Sequence, residues 1–455
     1  MTSSTLSQFL SSSKDRYLID LRHGKGRKWT VVMGNEAGDL DSVASAIAYA
    51  WIQSETKQIP TVPLVQTKRA DLALRPENIY AFSLAELQQG TPELVCIDDM
   101  SWTGVFPSNT FALVDHNRLL PQYEADNPEA QVVAVVDHHE DEGFYTTSAK
   151  PRIVAPAGSC ASHVAGLSPP RIPAELATLL LSAILIDTQG LKAGGKALQV
   201  DREAAAFLLT KTSLSSSLSS TELSRPSPES ATLADNSADV EFIQNRTKEL
   251  LKRKFDVSYF TTRDLLRRDY KQYHLNLPWV NSNTTINAGL STVPVDLKLW
   301  IPRDPKGFWS ATKQWMDERQ LYVLGILTSF RHKNSETGVQ GKHKRQMLWV
   351  VREGAEIYKA SESTEDGSSV STGEPSKVDV DQLASKLWNG LENSEVLQLK
   401  KCDFKKFGTR EKDAGTSMKV RIYKQGNTDA TRKATAPVMR NILEEQADSE
   451  GEMER

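Results

Sequence analysis

Two short stretches place acids and histidines where they could do chemistry. "VDHN" (114–117) and "VVDHHEDEG" (135–143) each set a histidine directly after an aspartate, in a chain with only eight histidines. A third, "VVMGNEAGDLDS" (31–42), brings Glu36, Asp39 and Asp41 within six positions. A single aspartate after an apolar run is ordinary turn or cap chemistry. Asp98 and Asp99 in "CIDDMSW" stay with that reading, since nothing nearby completes a site. Asp39, Asp41, Asp115 and Asp137 have partners. Carboxylates at this density repel one another unless divalent cations neutralise them. Mixed Asp/His ligation suits Mn²⁺, Mg²⁺ or Co²⁺ better than structural zinc. Adjacent His138 and His139 point in different directions, so one can bind metal while the other addresses a substrate. His23, His163, His274, His332 and His343 are isolated and read as core, cap or surface residues.

The elements that must position these residues are legible as four apolar runs. "WTVVMG" (29–34), "ELVCID" (93–98), "TFALVD" (110–115) and "AQVVAVVD" (130–137) are short and rich in Val, Ile or Leu without alternation. Strands buried on both faces of a parallel sheet read this way. Helical patterns accompany them, including "DSVASAIAYAWIQ" and "AELATLLLSAILI". The spacing predicts an α/β domain over 1–210, with its acids gathered at the carboxyl edge of the sheet, where ligand sites form. "KTSLSSSLSSTELSRPSPESATLADNSADV" (211–240) is Ser-rich and reads as a linker. Strand-like runs at 284–295, 321–330 and 345–351 predict a second, mixed-sheet α/β domain over 241–445, with a low-complexity insertion at 360–381. A polar tail over 446–455 reads as disordered.

A chain of 455 residues is long enough for two domains. Cys96, Cys160 and Cys402 lack metal-ligand or paired spacing, which argues against a disulfide framework or zinc site and for a reducing compartment. The start of the chain has no apolar signal core, and "LLLSAILI" (179–186) is too short to span a membrane. The expectation is a soluble, cytoplasmic monomer with no membrane partner. Charge is uneven: residues 1–200 hold 16 Lys/Arg against 22 Asp/Glu, whereas residues 400–440 hold 12 against 4. That asymmetry predicts a cation site in one part of the chain and an anion site in another, able to face each other.

Four segments in order, from Asn35 through Asp39-x-Asp41, then Asp115-His116-Asn117, Asp137-His138-His139, and "SAILIDT" ending at Asp187, resemble the phosphoesterase motifs of the DHH superfamily. The resemblance implies a parallel-sheet DHH domain and a two-metal phosphohydrolase. In the second half, "LLRRDYKQY" (265–273), "NAGLSTVPVDLKLW" (287–300) and "DATRKATAPVMRNIL" (429–443) look like the C-terminal domain of manganese-dependent inorganic pyrophosphatases, prune-type proteins and fungal exopolyphosphatases. That resemblance places the active site at the domain interface. The Gly-Gly-Gly-His motif of RecJ-like nucleases is absent, which disfavours nucleic acid.

By that resemblance Asp39, Asp41, Asp115, His138 and Asp187 hold two divalent ions, Mg²⁺ or Mn²⁺ with Co²⁺ possible, and Asp115 bridges them. His139 contacts phosphate, and Asp137 orients the histidines. Arg432 and Lys433, in a Thr-Arg-Lys version of the family's Ser-Arg-Lys signature, bind phosphate oxygens. Arg268 and Lys271 line the substrate channel, Arg267 and Lys271 sharing a face on helical spacing. Ser159 and the amides of "AGSCASHVA" offer either anion binding or an ordinary N-cap. Lys400, Lys401, Lys405 and Lys406 read as solvated charge. Asn35 stands where DHH pyrophosphatases have a metal-binding histidine. An amide oxygen there loosens the first metal site, favours Mg²⁺, and places Asn35 among the substrate-binding residues. The expected function is exopolyphosphatase activity. Alternatives are a prune-like phosphodiesterase or short-chain polyphosphatase, an inorganic pyrophosphatase, or a catalytically weak scaffold.

Overall fold

The computed structural model describes residues 5–445 except 101, 103, 125, 213–236, 282–283, 334–339 and 355–377. The expected linker at 211–240, the insertion at 360–381 and the tail at 446–455 lie wholly or largely outside those residues. The chain divides into two compact units, Met1–Asp256 and Val257–Arg455. This differs from a boundary at 241. The helix Ser237–Phe255 packs on the helices Pro76–Leu84 and Ala174–Asp187, and its Ile243 and Leu250 are buried in the first unit's core. Its apolar stripe binds it to the first unit, a partnership that helical periodicity alone does not reveal.

The first unit is built on β1 (Thr30–Met33), β2 (Thr61–Val65), β3 (Val95–Cys96), β4 (Thr110–Val114), β5 (Gln131–Asp137) and β6 (Arg152–Val154). They pair in the order β3-β2-β1-β4-β5-β6, every pair parallel. The runs at 29–34, 110–115 and 130–137 become β1, β4 and β5, while 93–98 yields only two strand residues before a 3₁₀ turn over Ile97–Asp99. Two strands escaped the sequence pattern. β2 carries Pro63, which argues against a central strand. β3 pairs only with Leu64 and Val65, so Pro63 lies outside that register. β6 is a half-buried three-residue edge.

Helix Leu40–Lys57 is buried from Leu40 to Gln53, and its many alanines let it press closely against its neighbours. From β1 the chain passes to β2, and from β4 to β5, on opposite sides of the β1–β4 pair. The carboxyl ends of β1 and β4 therefore flank a topological switch point, where open parallel sheets leave a crevice for ligands.

The second unit has β7 (Tyr270–Asn276), β8 (Thr285–Val293), β9 (Leu321–Lys333), β10 (Gln340–Arg352), β11 (Leu399–Lys401) and β12 (Met418–Gln425), ordered β11-β12-β10-β9-β8-β7. Only β8–β9 is parallel, so the sheet is mixed, as expected. Leu348 and Val350 of β10 enter one core, and Met347, Trp349 and Val351 another. Both faces are covered, which explains the unalternating run at 345–351. Among the described residues no helix is long and apolar enough to cross a membrane.

Candidate active site

Asp115 follows β4 with φ 60°, a left-handed conformation that Asp tolerates better than most residues and that concentrates at functional sites. Its N–H still donates to the Val136 carbonyl (3.0 Å), so the turn begins without breaking the β4–β5 ladder. The residue is 2 % exposed. Oδ2 accepts from Asn35 Nδ2 (2.7 Å) and Ser42 Oγ (2.5 Å). Oδ1 is buried and has no hydrogen bond among the described residues; His138 Nε2 lies 3.3 Å and His139 Nδ1 3.6 Å from it. Ligand atoms of Asp115, His138 and His139 all fall within 4.8 Å of one another. A buried carboxylate oxygen without a hydrogen bond, facing two imidazoles, is a donor set that fits a cation.

Each histidine is fixed from behind. His138 Nδ1 bonds the Ala157 carbonyl (3.0 Å), which makes it the N–H and leaves Nε2 facing Asp115 and, at 3.8 Å, Asp41 Oδ2. Asp137 is fully buried. Its Oδ1 accepts from His138 N, His139 N and His139 Nδ1 (2.8, 3.2 and 2.7 Å), and its Oδ2 from Asn117 Nδ2 (2.6 Å). A carboxylate holding an imidazole in this way sets its tautomer and basicity. His116 turns back to the Val114 carbonyl (2.9 Å).

Asp39 caps the helix Leu40–Lys57, its Oδ1 accepting from Ser42 N (3.1 Å). Capping and site formation therefore coexist at this residue. A Cβ on Gly34 would lie 2.6 Å from Ser42 Cβ. Glycine lets the helix start crowd the end of β1 and puts Ser42 Oγ, which also accepts from Asn35 N (3.2 Å), against Asp115. Asp41 is 2 % exposed and docks on the start of the helix Cys160–Gly166. Ser159 Oγ (2.6 Å) and Ala161 N (2.8 Å) donate to Oδ1, and Cys160 N (2.7 Å) to Oδ2. These donors, expected to bind an external anion or act as an ordinary cap, hold an internal carboxylate. Asn35 turns its amide oxygen to Ala37 N (3.0 Å). Its nitrogen supports Asp115, an arrangement different from a side chain presenting oxygen to a metal.

Asp187 ends the helix Ala174–Asp187, and Lys254 Nζ lies 3.4 Å from its Oδ1. Burial works against the lysine's charge, but Asp187, Glu77 and Asp39 hold its pKa above the ordinary value. Burial, reinforced by the charges of Asp115 and Asp187, pushes Asp39 up and Asp41 well up. Burial also opposes ionisation of Asp115, yet the imidazoles and Ser42 hold its carboxyl below the usual range. The cluster carries more negative charge than its own cations balance comfortably, the condition that a divalent ion relieves.

Residues 29–184 match the DHH family, N-terminal domain, and residues 248–442 match the DHHA2 domain. The chain thus carries a DHH N-terminal domain followed by a DHHA2 domain. A Schizosaccharomyces pombe protein named "Putative exopolyphosphatase" is 29% identical over 332 residues, covering 69% of this chain and 75% of that one. "Exopolyphosphatase PRUNE1" of Rattus norvegicus is 28% identical over 331 residues, 70% of this chain and 64% of the rat protein. A "Probable manganese-dependent inorganic pyrophosphatase" of Shouchella clausii is 29% identical over 182 residues, 39% of this chain and 53% of that protein. The matches thus span less than two thirds of the rat protein and about half of the bacterial one.

In the DHHA2 unit, Arg432 opens the helix Arg432–Glu444, and its Nη1 bonds the carbonyl (3.0 Å) and Oδ1 (2.8 Å) of Asp269. Asp269 sits between Arg268, buried at the end of the helix Thr262–Arg268, and Lys271 on β7. The fold thus brings Arg432 to the turn joining two of its expected co-workers. The helical spacing assumed for Arg267 and Lys271 does not hold. The chain leaves the helix at Asp269 (φ −134°, ψ 74°) and alternates as a strand against β8, while Arg267 pairs with Asp264 (2.9 Å). Lys433 is exposed, as are Lys400, Lys401, Lys405 and Lys406. Ser42 and Lys254 are contributors that the sequence reading does not name, and Asn117 is one it names in a motif without a role. Ser42 has a signal in the Asp-x-x-Ser spacing of a cap; Lys254 has none.

Proposed function

We propose that this protein is a metal-dependent exopolyphosphatase that releases orthophosphate from the end of inorganic polyphosphate. The observation that carries the reading is His138 Nε2 facing a buried Asp115 carboxylate oxygen that has no hydrogen bond among the described residues, with His139 beside them. Asp39, Asp41, Asp115, His138 and Asp187 would hold two divalent ions, Mn²⁺ or Mg²⁺. When bound, such ions draw charge from phosphoryl oxygens and make coordinated water a nucleophile near neutral pH. Water's oxygen would bond to the terminal phosphorus as the P–O–P bridge breaks, the shortened chain departing with the bridging oxygen and the water's proton passing to solvent or to the released phosphates.

Within that reaction His139, oriented by Asp137 through Nδ1, would contact a phosphate oxygen. Arg432 and Lys433 bind further oxygens, Arg by its planar fork and Lys as a point charge. Arg268 and Lys271 extend the basic track. The excess of 12 Lys/Arg over 4 Asp/Glu in residues 400–440 supports a long polyanion over a small ester, and relatives carrying the name exopolyphosphatase support the same choice.

The test is orthophosphate release by purified protein with Mn²⁺ or Mg²⁺, run side by side on long polyphosphate, tripolyphosphate, pyrophosphate and cyclic AMP. Release from long chains is expected. Preference for pyrophosphate or cyclic AMP would move the assignment to those substrates, and no release from any of them would leave the scaffold reading. Asp115→Asn is expected to abolish turnover. Lys433→Ala should raise KM with kcat nearly kept, the signature of binding shared by ground and transition states.

A further inference from the structure

We infer that Asp201 is a positioning residue for the metal centre, acting through the segment 157–162; this rests on the metal-dependent reading above. Asp201 lies in the first turn of the helix Gln199–Leu209 and is fully buried. Its Oδ2 accepts from Leu198 N (2.7 Å) and Gly158 N (2.8 Å), and its Oδ1 from Ser162 Oγ (2.6 Å) and Ser159 N (3.3 Å). Four donors on one carboxylate use its acceptor capacity and solvate its charge. Only the Leu198 bond is needed to cap the helix. The other three reach across about forty residues of chain to one short strip.

The opposite side of that strip holds two site residues. The Ala157 carbonyl fixes His138 Nδ1 (3.0 Å). Ser159 Oγ, Cys160 N and Ala161 N hold the carboxylate of Asp41. The strip is clamped tightly: a Cβ on Gly158 would lie 2.6 Å from Thr188 Cγ2 and 2.9 Å from Asp201 Oδ2. Asp201 thus sets where Ala157, Ser159 and Cys160 sit, and they set the aim of His138 Nε2 and Asp41. Ordinary capping gives no reason for those three extra bonds; orientation of metal-binding side chains does.

Asp201→Asn keeps the shape but replaces one acceptor oxygen with an NH₂ that faces N–H donors. In metal-stripped full-length protein titrated with Mn²⁺ by calorimetry, this variant is expected to lose about 10- to 100-fold in affinity, the usual effect of disturbing a group behind a ligand. Ser162→Ala removes a single Asp201 bond, keeps the fold if Asp201→Asn does not, and should weaken Mn²⁺ by a smaller factor. Asp99→Asn, which disturbs a carboxylate tied to Lys14 and Arg69, should lower thermal stability and leave Mn²⁺ affinity unchanged. Unchanged Mn²⁺ affinity in the Asp201 and Ser162 variants, with only the melting temperature lowered, would overturn the inference and leave the metal reading intact. Failure of the unaltered protein to bind Mn²⁺ would overturn both.

Discussion

Asn35 Nδ2 and Ser42 Oγ are the two donors on Asp115 Oδ2, so the amide fixes a carboxylate that the site needs ionised. Replacing Asn35 with alanine removes a hydrogen bond to a charged group and is expected to cost about 1.5–3 kcal/mol of stability in metal-free protein, read from urea unfolding. Asn35→His offers an imidazole in its place. It should tighten Mn²⁺ relative to Mg²⁺ in paired titrations, because nitrogen ligands favour the softer ion. Lys254 sits against Asp187 as an internal cation. Lys254→Met should make metal-free protein less stable and bind Mn²⁺ more tightly, since the ion no longer competes with an ammonium; unchanged affinity would show that the pair and the ion do not share Asp187.

Elements carry these residues, and one tie between elements sets a pH dependence. Asp99, in the 3₁₀ turn after β3, is bonded by Arg69, Cys96 N and Lys14, the last reaching over from the helix Leu6–Arg22. Burial opposes the charge, but these donors hold the carboxyl below its ordinary value. A depressed folded-state pKa stabilises the fold above the unfolded value of about 3.9, and the benefit is lost as pH falls through the lower folded value. Asp99→Asn should therefore lower the melting temperature at neutral pH, with the gap from the unaltered protein closing below about pH 4. The sequence pattern reached β1, β4 and β5 because a short Val-rich run without alternation is what a strand covered on both faces requires. It missed β2 because a proline interrupts it, and the Arg268–Lys271 turn because a charged run cannot show where a helix stops. At the site, acids beside histidines were legible from residue type and order. The backs of those side chains were not, since Ala157 and Asp201 contribute through backbone contacts and distant chain that spacing does not encode.

At the scale of the molecule, the buried clusters of the first unit draw on residues from Leu6 to Leu250, and those of the second on Val257 to Leu443. Each unit thus has its own core. A fragment of residues 1–256 is expected to fold and bind Mn²⁺ with the affinity of the whole chain and, on the proposed function, to release no orthophosphate without the proposed phosphate-binding Arg432 and Lys433. In calorimetry of the full chain, Mn²⁺ at 100 times its Kd should stabilise only the first unit's transition, by about 2.7 kcal/mol. The pairing of β1 with β4 has a kinetic side. Thr30 meets Thr110 only after the intervening chain has closed into a loop, and non-local pairings of this kind are slow to form. Asp115 gains its partners across that same seam, and the site is expected to be complete only in the native state. Divalent ions should then leave the refolding rate nearly unchanged and slow unfolding, so that an occupied protein persists longer without being made any faster.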